Sequence, residues 1–215
     1  MLVKAYDVLS RSKSNHIPDL LRIFTKTGLE VCEGQQMDMN FETIEAVSVA
    51  SYIEMITKKT AVLLGCSLQM GAICAKASIS NQNHVYEFGK HIGIAFQILD
   101  DVLDVYADDK KFGKQVGGDI ISNKKTFLLL SALHSANEFQ KKKLEYLLTS
   151  KTISNSDKII QVKEIYDELK VKELAILEAN KHTHIAFEHL NELNANTGKL
   201  NNLKEFAHHL LNREV

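Results

Sequence analysis

Apolar residues recur every three or four positions along most of this chain, and this spacing predicts amphipathic α-helices. Pro18 suits the first turn of the first predicted helix, because a helix needs no N–H donor there. No run alternates apolar and polar residues as a half-buried strand does. We therefore expect one all-α domain, a helical bundle, over residues 1–215. The predicted helices span residues 18–37, 48–78 and 83–106, begin again near 124, and form a pair from 156 that is interrupted near 194–198.

The second and third predicted helices carry apolar and small residues that indicate close packing. Residues 61–66 are apolar on almost every side of the helix, so we expect them to be deeply buried. Gly65 and Gly71 are possible points of interruption. Gly89 and Gly93 lie four residues apart on the third helix, where the lack of a side chain allows another helix to approach closely.

The composition narrows the class of protein. The chain has 215 residues, of which 45% are apolar and 25% charged, as in an ordinary globular domain. Its net charge of −1 gives no global basic field that would favour nucleic acid. No apolar run reaches the roughly 18 residues of a membrane span, so no transmembrane segment is expected. Cys32, Cys66 and Cys74 lack metal-site spacing and indicate buried thiols in a reducing, cytoplasmic setting.

Four polar residues interrupt an apolar run near the end of the third predicted helix: Gln97, Asp100, Asp101 and Asp104. Helical spacing brings them to one face, where like charges four residues apart repel by roughly 0.2–0.5 kcal/mol. A sequence that accepts this cost indicates a bound cation, and carboxylates without Cys or His favour a hard ion such as Mg²⁺ with phosphate. The alternative is a helix end in solvent, but apolar residues continue through Val105, which favours the metal.

The segment after this helix carries the partners that a polyphosphate needs. A glycine-rich stretch, residues 112–119, contains Lys114 and Asp119, and Lys124 follows it. Ammonium groups beside a carboxylate-bound metal neutralise phosphate charge, and glycines allow backbone N–H groups to approach closely. The alternative is that these are loop lysines in water; the nearby aspartates favour contact with a diphosphate.

These residues resemble the second aspartate-rich motif of the trans-prenyl diphosphate synthases, the family of farnesyl and geranylgeranyl diphosphate synthases (polyprenyl synthetases). Residues 34–38, which read GQQMD, resemble the family's GQxxD helix, and residues 56–60, ITKKT, resemble its Lys-Thr pair. Tyr52 also fits the pattern. Three motifs in the family's order and spacing make the resemblance specific. It implies a helical bundle of the isoprenoid synthase type.

The resemblance covers only the C-terminal two-thirds of the family's sequence. The family's first DDxxD motif and the arginine pair that follows it have no counterpart before Gly34. By resemblance, that part would hold the ligands of two of three Mg²⁺ ions and much of the isopentenyl diphosphate site. We therefore expect a bundle that lacks the N-terminal helices of the family. Whether the sequence is a fragment or a natural partial subunit stays open.

The resemblance implies a prenyltransferase that joins an allylic diphosphate to isopentenyl diphosphate with the help of Mg²⁺. The expected product is a short-chain prenyl diphosphate, and the expected assembly is a homodimer. Two alternatives stay open: a synthase-like subunit that binds diphosphate without turnover, and a helical scaffold whose acidic face is structural.

The resemblance also assigns roles to individual residues. Lys58, beside Lys59, is an alternative diphosphate contact, and Phe96 is an alternative core residue. The metal ligands implied are Asp100 and Asp104 first, then Asp101 and Asp119. The diphosphate contacts implied are Lys59, Lys114 and Lys124. The supporting residues implied are Gln97 and Gln35, with Thr60 facing the reacting carbons and Phe96 lining the isoprenoid pocket.

Overall fold

The computed structural model describes residues 2–12, 16–107, 116–195 and 197–212, and over these ranges it contains helices and no strand. The predicted all-α fold is confirmed. In chain order the elements are α1 (Leu2–Ser10), α2 (Ile17–Phe41), α3 (Val49–Ile56), the π-helix π1 (Thr57–Ala61), α4 (Val62–Cys74), α5 (Ile79–Tyr106), α6 (Gly118–Ile121), α7 (Phe127–Ser135), α8 (Glu138–Thr149), α9 (Asn155–Glu168), α10 (Val171–Asn191) and α11 (Thr197–Leu211).

Helix α5 lies at the centre of the bundle, between α4 and α10. A Cβ atom on Gly89 would lie 2.9 Å from the Cα of Gly65, and one on Gly93 would lie 2.6 Å from the Cα of Ala61. Only glycine permits backbones to come this close. The close contact predicted at Gly89 and Gly93 is therefore confirmed, and it fixes the positions of α4 and π1 on α5.

The helix predicted over 48–78 is divided and ends earlier. It begins as α3, where the Ser48 side chain accepts a hydrogen bond from the Ser51 N–H. The π-helix π1 then adds a wider turn before α4, and α4 ends at Cys74. The deep burial expected for 61–66 is confirmed at Val62 but wrong at Leu63, which is 50% exposed because it faces an open trough described below.

Several other boundaries differ from the predictions. Helix α5 begins at Ile79 rather than near 83, because the Ser78 side chain caps it. The segment from 155 contains three helices rather than two, since the chain turns at Lys170 with a φ of 54°. The interruption near 194–198 is confirmed by the gap between α10 and α11.

Two further expectations concern cysteines and membranes. Cys66 is buried, as expected, but the burial expected for Cys32 and Cys74 is wrong, because both are exposed on their helices. No helix of the described ranges combines the length and the apolar character that a membrane span requires.

The largest core packs α5 against α7, α8, α9 and α10. It lies directly behind the acidic stretch, with Ile98 and Val102 fully buried on the inner side of α5. These two residues alternate with the aspartates at helical spacing, so the same helix turns one face to the core and another to solvent. The core therefore holds the candidate site on a rigid helix.

Candidate active site

Helix α5 places its three aspartates in three different environments. Asp100 is exposed, Asp104 is partly buried, and Asp101 is only 3% exposed. Helical spacing predicts that the three aspartates share one face of α5. In the structure Asp100 faces solvent, Asp104 faces the turn into α6, and Asp101 faces the interior.

Asp101 connects three helices beneath the site. Its Oδ2 accepts hydrogen bonds from the Tyr52 hydroxyl at 2.5 Å and from the Phe127 N–H at 3.3 Å, and its Oδ1 accepts one from the Gln97 amide at 3.3 Å. Burial raises the pKa of Asp101 to about 7, although the hydrogen bond from Tyr52 opposes this shift. Burial also raises the pKa of Tyr52, and the Asp101 carboxylate adds to that shift. Asp101 therefore ties α3, α5 and α7 together.

Asp104 holds the short helix α6 against α5. Its carboxylate accepts the Asp119 N–H at 2.9 Å, and its main-chain carbonyl accepts the Gly117 N–H at 2.6 Å. Gly117 has a φ of 83°, a conformation that favours glycine, and it allows the chain to turn into α6. Burial raises the pKa of Asp119; Lys124 lowers it, and Asp104 adds to the rise. The turn thus brings Asp104 and Asp119 together.

Lys124 follows α6 and faces the same carboxylates. Its Nζ lies 3.4 Å from Asp119 Oδ1, and its side chain is 41% exposed. Partial burial alone would lower the pKa of Lys124, but the carboxylates of Asp119 and Asp101 raise it above its usual value. The ammonium therefore stays charged at the mouth of the site.

The π-helix π1 places Lys59 and Thr60 on the opposite side of the site. Lys59 Nζ lies 2.5 Å from Asp38 Oδ2, and the Thr60 hydroxyl donates to Gln97 Oε1 at 3.1 Å. A Cβ atom on Gly34 would clash with the backbone nitrogen of Lys59, so glycine lets the backbone of α2 contact the backbone of π1 directly. π-Helical turns occur often at functional sites.

The alternative diphosphate contact, Lys58, has other partners. Its Nζ lies 3.2 Å from both Glu33 and Glu54, which bind it on the outer face of π1. Gln35 is exposed on α2, and no hydrogen bond among the described residues joins it to the other candidates. The geometry therefore favours Lys59 over Lys58.

Two cavities adjoin these residues. The polar cleft, of about 400 Å³, lies between the end of α2 and the segment after α6. The apolar trough, of about 360 Å³, lies between α4, α5 and α11. The polar cleft is lined by Asp38, Phe41, Glu42, Ser122, Asn123, Lys124 and Lys125. The apolar trough is lined by Thr60, Leu63, Leu64, Ser67, Gly93, Phe96 and Leu210.

Two residues of π1 lie near the two cavities, one near each. Asp38, the partner of Lys59, lines the polar cleft, and Thr60 lines the apolar trough while it bonds to Gln97. Phe96 also lines the trough. A charged group and an apolar chain of one ligand can therefore be held side by side.

The carboxylates suit a hard cation but do not form a closed metal site. No three His, Cys, Asp or Glu side chains converge on one point within the described part of the chain. Mg²⁺ is usually held by one or two carboxylates together with phosphate oxygens and water, so the exposed Asp100 and the adjacent Asp104 and Asp119 fit its donor preference. Lys114 lies outside the described residues.

Sequence reasoning missed two partners in this site. Asp38 pairs with Lys59, and Tyr52 donates to Asp101, yet neither pairing was expected. Both residues fall within the motifs that carry the resemblance, which was the available signal. The π-helical turn itself has no sequence signature that we can identify.

Comparisons with known proteins identify the family of this chain. A family described as polyprenyl synthetase matches residues 1–169. Over 171 residues the chain is 40% identical to a short chain isoprenyl diphosphate synthase of Methanocaldococcus jannaschii, and the alignment covers 79% of this chain and 51% of that protein. Over 194 residues it is 34% identical to a geranylgeranyl diphosphate synthase of Saccharolobus solfataricus, covering 88% and 58%.

A solved structure gives the same result for the fold. A geranylgeranyl pyrophosphate synthase structure matches with a TM-score of 0.91 at 34% identity, covering 99% of this chain and 66% of that one. The chain thus spans little more than half the length of the curated relatives it matches. The family match covers most of the chain, including every described candidate residue. This chain belongs to the polyprenyl synthetase family.

Proposed function

We propose that this chain forms the allylic diphosphate site of a prenyltransferase, which joins an allylic diphosphate to isopentenyl diphosphate. The observation that carries the proposal is that adjacent residues of π1 serve both cavities: Lys59 pairs with Asp38, which lines the polar cleft, and Thr60 lines the apolar trough. An allylic diphosphate has the matching shape, with a charged head on an apolar chain. The names of the relatives support the same chemistry.

In this proposal the diphosphate head lies at the polar cleft. Lys59 and Lys124 are each held beside a carboxylate, Asp38 and Asp119, before a ligand arrives, and Asp38 and Lys124 line the cleft. Such fixed charges need little rearrangement when negative charge develops on the diphosphate. Mg²⁺, held by Asp100, Asp104 and Asp119, would neutralise further charge on the departing diphosphate.

The apolar trough would hold the isoprenoid chain. The allylic C–O bond breaks, and its electron pair leaves with the diphosphate. The carbocation then forms a C–C bond with the alkene carbon of isopentenyl diphosphate, and loss of a proton restores a double bond. Because water would capture the carbocation, an apolar wall that includes Phe96 protects it. We propose a short-chain product, C15–C20; the relatives named above are a short chain isoprenyl diphosphate synthase and a geranylgeranyl diphosphate synthase.

A second candidate function is a partner subunit that binds diphosphate without turnover. The specific observation in its favour is that the trough is open, with Leu63 half exposed. The chain also aligns with only 51–66% of the length of the relatives named above. Such a subunit would act within a heteromer whose other chain completes the site.

The test is turnover by this chain with Mg²⁺, isopentenyl diphosphate and geranyl diphosphate, with products separated by mass. We expect a prenyl product, and its mass gives the chain length. Mg²⁺-dependent binding of geranyl diphosphate without product would support the partner subunit instead. Absence of both, with the chain folded, would contradict both functions and leave the structural role of the acidic face.

We also propose that the chain forms a homodimer, as the family resemblance implies. Several large apolar side chains are exposed, among them Leu29 on α2 and Leu177 on α10. Light scattering gives the mass in solution, and a monomer would contradict this proposal.

A further inference from the structure

Lys158 on α9 is a buried lysine next to the candidate site. It is only 6% exposed, and its Nζ donates to the Ile121 carbonyl at 3.2 Å and to Asn123 Oδ1 at 2.5 Å. Neither acceptor is charged. Burial of an ammonium group is unfavourable unless hydrogen bonds compensate it, and it lowers the pKa of Lys158. A lysine kept in such a place indicates a role for the two hydrogen bonds that it makes.

Those two bonds hold the chain where it leaves α6. Ile121 is the last residue of α6, and Asn123 has a φ of 56°, which is uncommon for a residue other than glycine. The Asn123 side chain is held at both ends: Lys158 donates to its oxygen, and its nitrogen donates to the Leu148 carbonyl at 2.9 Å. The clamp therefore stabilises a turn that the backbone alone disfavours.

Lys124 comes directly after this turn. Its N–H donates to the Asp119 carbonyl at 2.9 Å, and its ammonium lies 3.4 Å from the Asp119 carboxylate. The direction in which the Lys124 side chain leaves the backbone thus depends on the conformation of Asn123. A change at Asn123 would move the Lys124 ammonium relative to the polar cleft.

We propose that Lys158 is a positioning residue, whose buried ammonium holds the turn through Ile121 and Asn123 so that Lys124 points to the polar cleft. The assumption that Lys124 binds a diphosphate rests on the function proposed above. The clamp itself rests only on the hydrogen bonds just described. Lys158 lies outside the polar cleft and does not line it.

The experiment compares Lys158→Met with Lys158→Arg and with a matched control, Lys163→Met. Lys163 lies on the same helix, contacts the Tyr106 ring instead of the turn, and carries the same charge. The first measurement is hydrogen exchange of the backbone amides of residues 122–124, which donate within this turn. The second is the Kd of inorganic pyrophosphate in the presence of Mg²⁺, by calorimetry.

We expect Lys158→Met to raise the exchange rate of these amides and the pyrophosphate Kd about tenfold each, the effect of losing one or two hydrogen bonds. Lys158→Arg should restore most of both, because it keeps a buried donor, and Lys163→Met should change neither. Asn123→Gly keeps the positive φ but removes the clamp. It should raise the exchange of residues 122–124 in the same way even if Lys158→Met does not fold. Because Asn123 itself lines the polar cleft, this exchange rather than the pyrophosphate Kd decides the role of the clamp for this variant.

Two results would overturn the proposal. The first is a Lys158→Met variant that matches Lys163→Met in both measurements or, if that variant does not fold, an Asn123→Gly variant that matches Lys163→Met in the exchange of residues 122–124. The second is a uniform rise in exchange across all helices, which indicates general stability rather than positioning. If the unaltered chain does not bind pyrophosphate, the proposed function fails, and the exchange of residues 122–124 still decides the role of Lys158.

Discussion

The two halves of helix α5 bury different titratable groups. The first half contacts α10 through a pair of histidine rings, whereas the second half buries an aspartate that is hydrogen-bonded to a tyrosine. In the first half, His91 Nδ1 lies 2.8 Å from His182 Nδ1. In the second, Asp101 accepts the Tyr52 hydroxyl. Burial lowers the pKa of His91 to about 4 and raises that of Asp101 to about 7, so both sites favour the neutral form. The first half thus packs imidazole rings against α10, and the second half buries one carboxyl group, Asp101, beside an exposed one, Asp100.

The two halves consequently respond to pH in opposite directions. The unfolded chain binds a proton at His91 more readily than the folded one, so this group makes stability rise with pH between about 4 and 6.5. Asp101 binds a proton more readily in the folded chain, so it makes stability fall as pH rises from 3.8 to about 7. The two slopes oppose each other within one helix.

The largest effect should come from filling the close contact at Gly93, where the two halves of α5 meet. Gly93→Ala places a Cβ atom 2.6 Å from the Cα of Ala61, so π1 must move, and we expect a loss of about 3 kcal/mol in the free energy of unfolding. Urea denaturation measures it. Gly71→Ala is the matched control, because nothing lies within 4 Å of its Cβ position, and it should stabilise by about 0.5–1 kcal/mol. Equal effects of the two changes would contradict the packing role.

In the second half, Asp104→Asn should affect binding far more than stability. The amide oxygen can still accept the Asp119 N–H, but the charge for Mg²⁺ is lost. We expect Mg²⁺-dependent pyrophosphate affinity to fall roughly 100-fold, with the urea midpoint nearly unchanged. Asp157→Asn, an exposed change near the start of α9, is the control. Undiminished affinity would remove Asp104 from the metal ligands.

The imidazole pair predicts a smaller, pH-dependent effect. His91→Gln removes the group whose pKa is lowered, so the difference in unfolding free energy between the native chain and the variant should grow between pH 4 and 6.5 by up to about 2 kcal/mol. The facing groups, His182 and His189 on α10 and Glu87 and Lys90 on α5, stay in place. His134→Gln, at an exposed position, is the control. A difference that does not vary with pH would contradict the assignment.

The smallest of these effects is expected in the trough that lies between the two halves. Leu63→Ser changes a side chain that is already half exposed, so the free energy of unfolding should change by less than about 1 kcal/mol. Affinity for geranyl diphosphate should fall, whereas affinity for pyrophosphate should not, since only the former has an isoprenoid chain. Calorimetry with both ligands makes the comparison. An equal fall for both would place the isoprenoid chain elsewhere.

The helical fold was predictable because its signal is local. The 3.6-residue period located most helices, and the small residues at 89 and 93 located the α4 contact. The break at Lys170 was not predictable, because a positive φ at a lysine depends on tertiary packing. The exposure of Leu63 was missed for a similar reason, because an apolar residue in a sequence does not show which helices pack against it.

The site was predictable in outline rather than in detail. The residue types identified a cation and diphosphate site, but helical spacing alone could not show that Asp101 faces inward while Asp100 faces solvent. That difference depends on Tyr52, which is 49 residues away in sequence. The roles of the individual aspartates and lysines stay predictions.

The π-helix π1 has a consequence for insertions and deletions. One extra residue in a helix rotates everything beyond it by about 100° relative to what precedes it. Tyr52 before the bulge and Thr60 within it both face α5, at Asp101 and Gln97. Deletion of a single residue from 57–61 would give a more regular helix in which these two contacts no longer coincide. The number of residues between Tyr52 and Thr60 therefore constrains this segment more strictly than the helical propensity of the individual residues does.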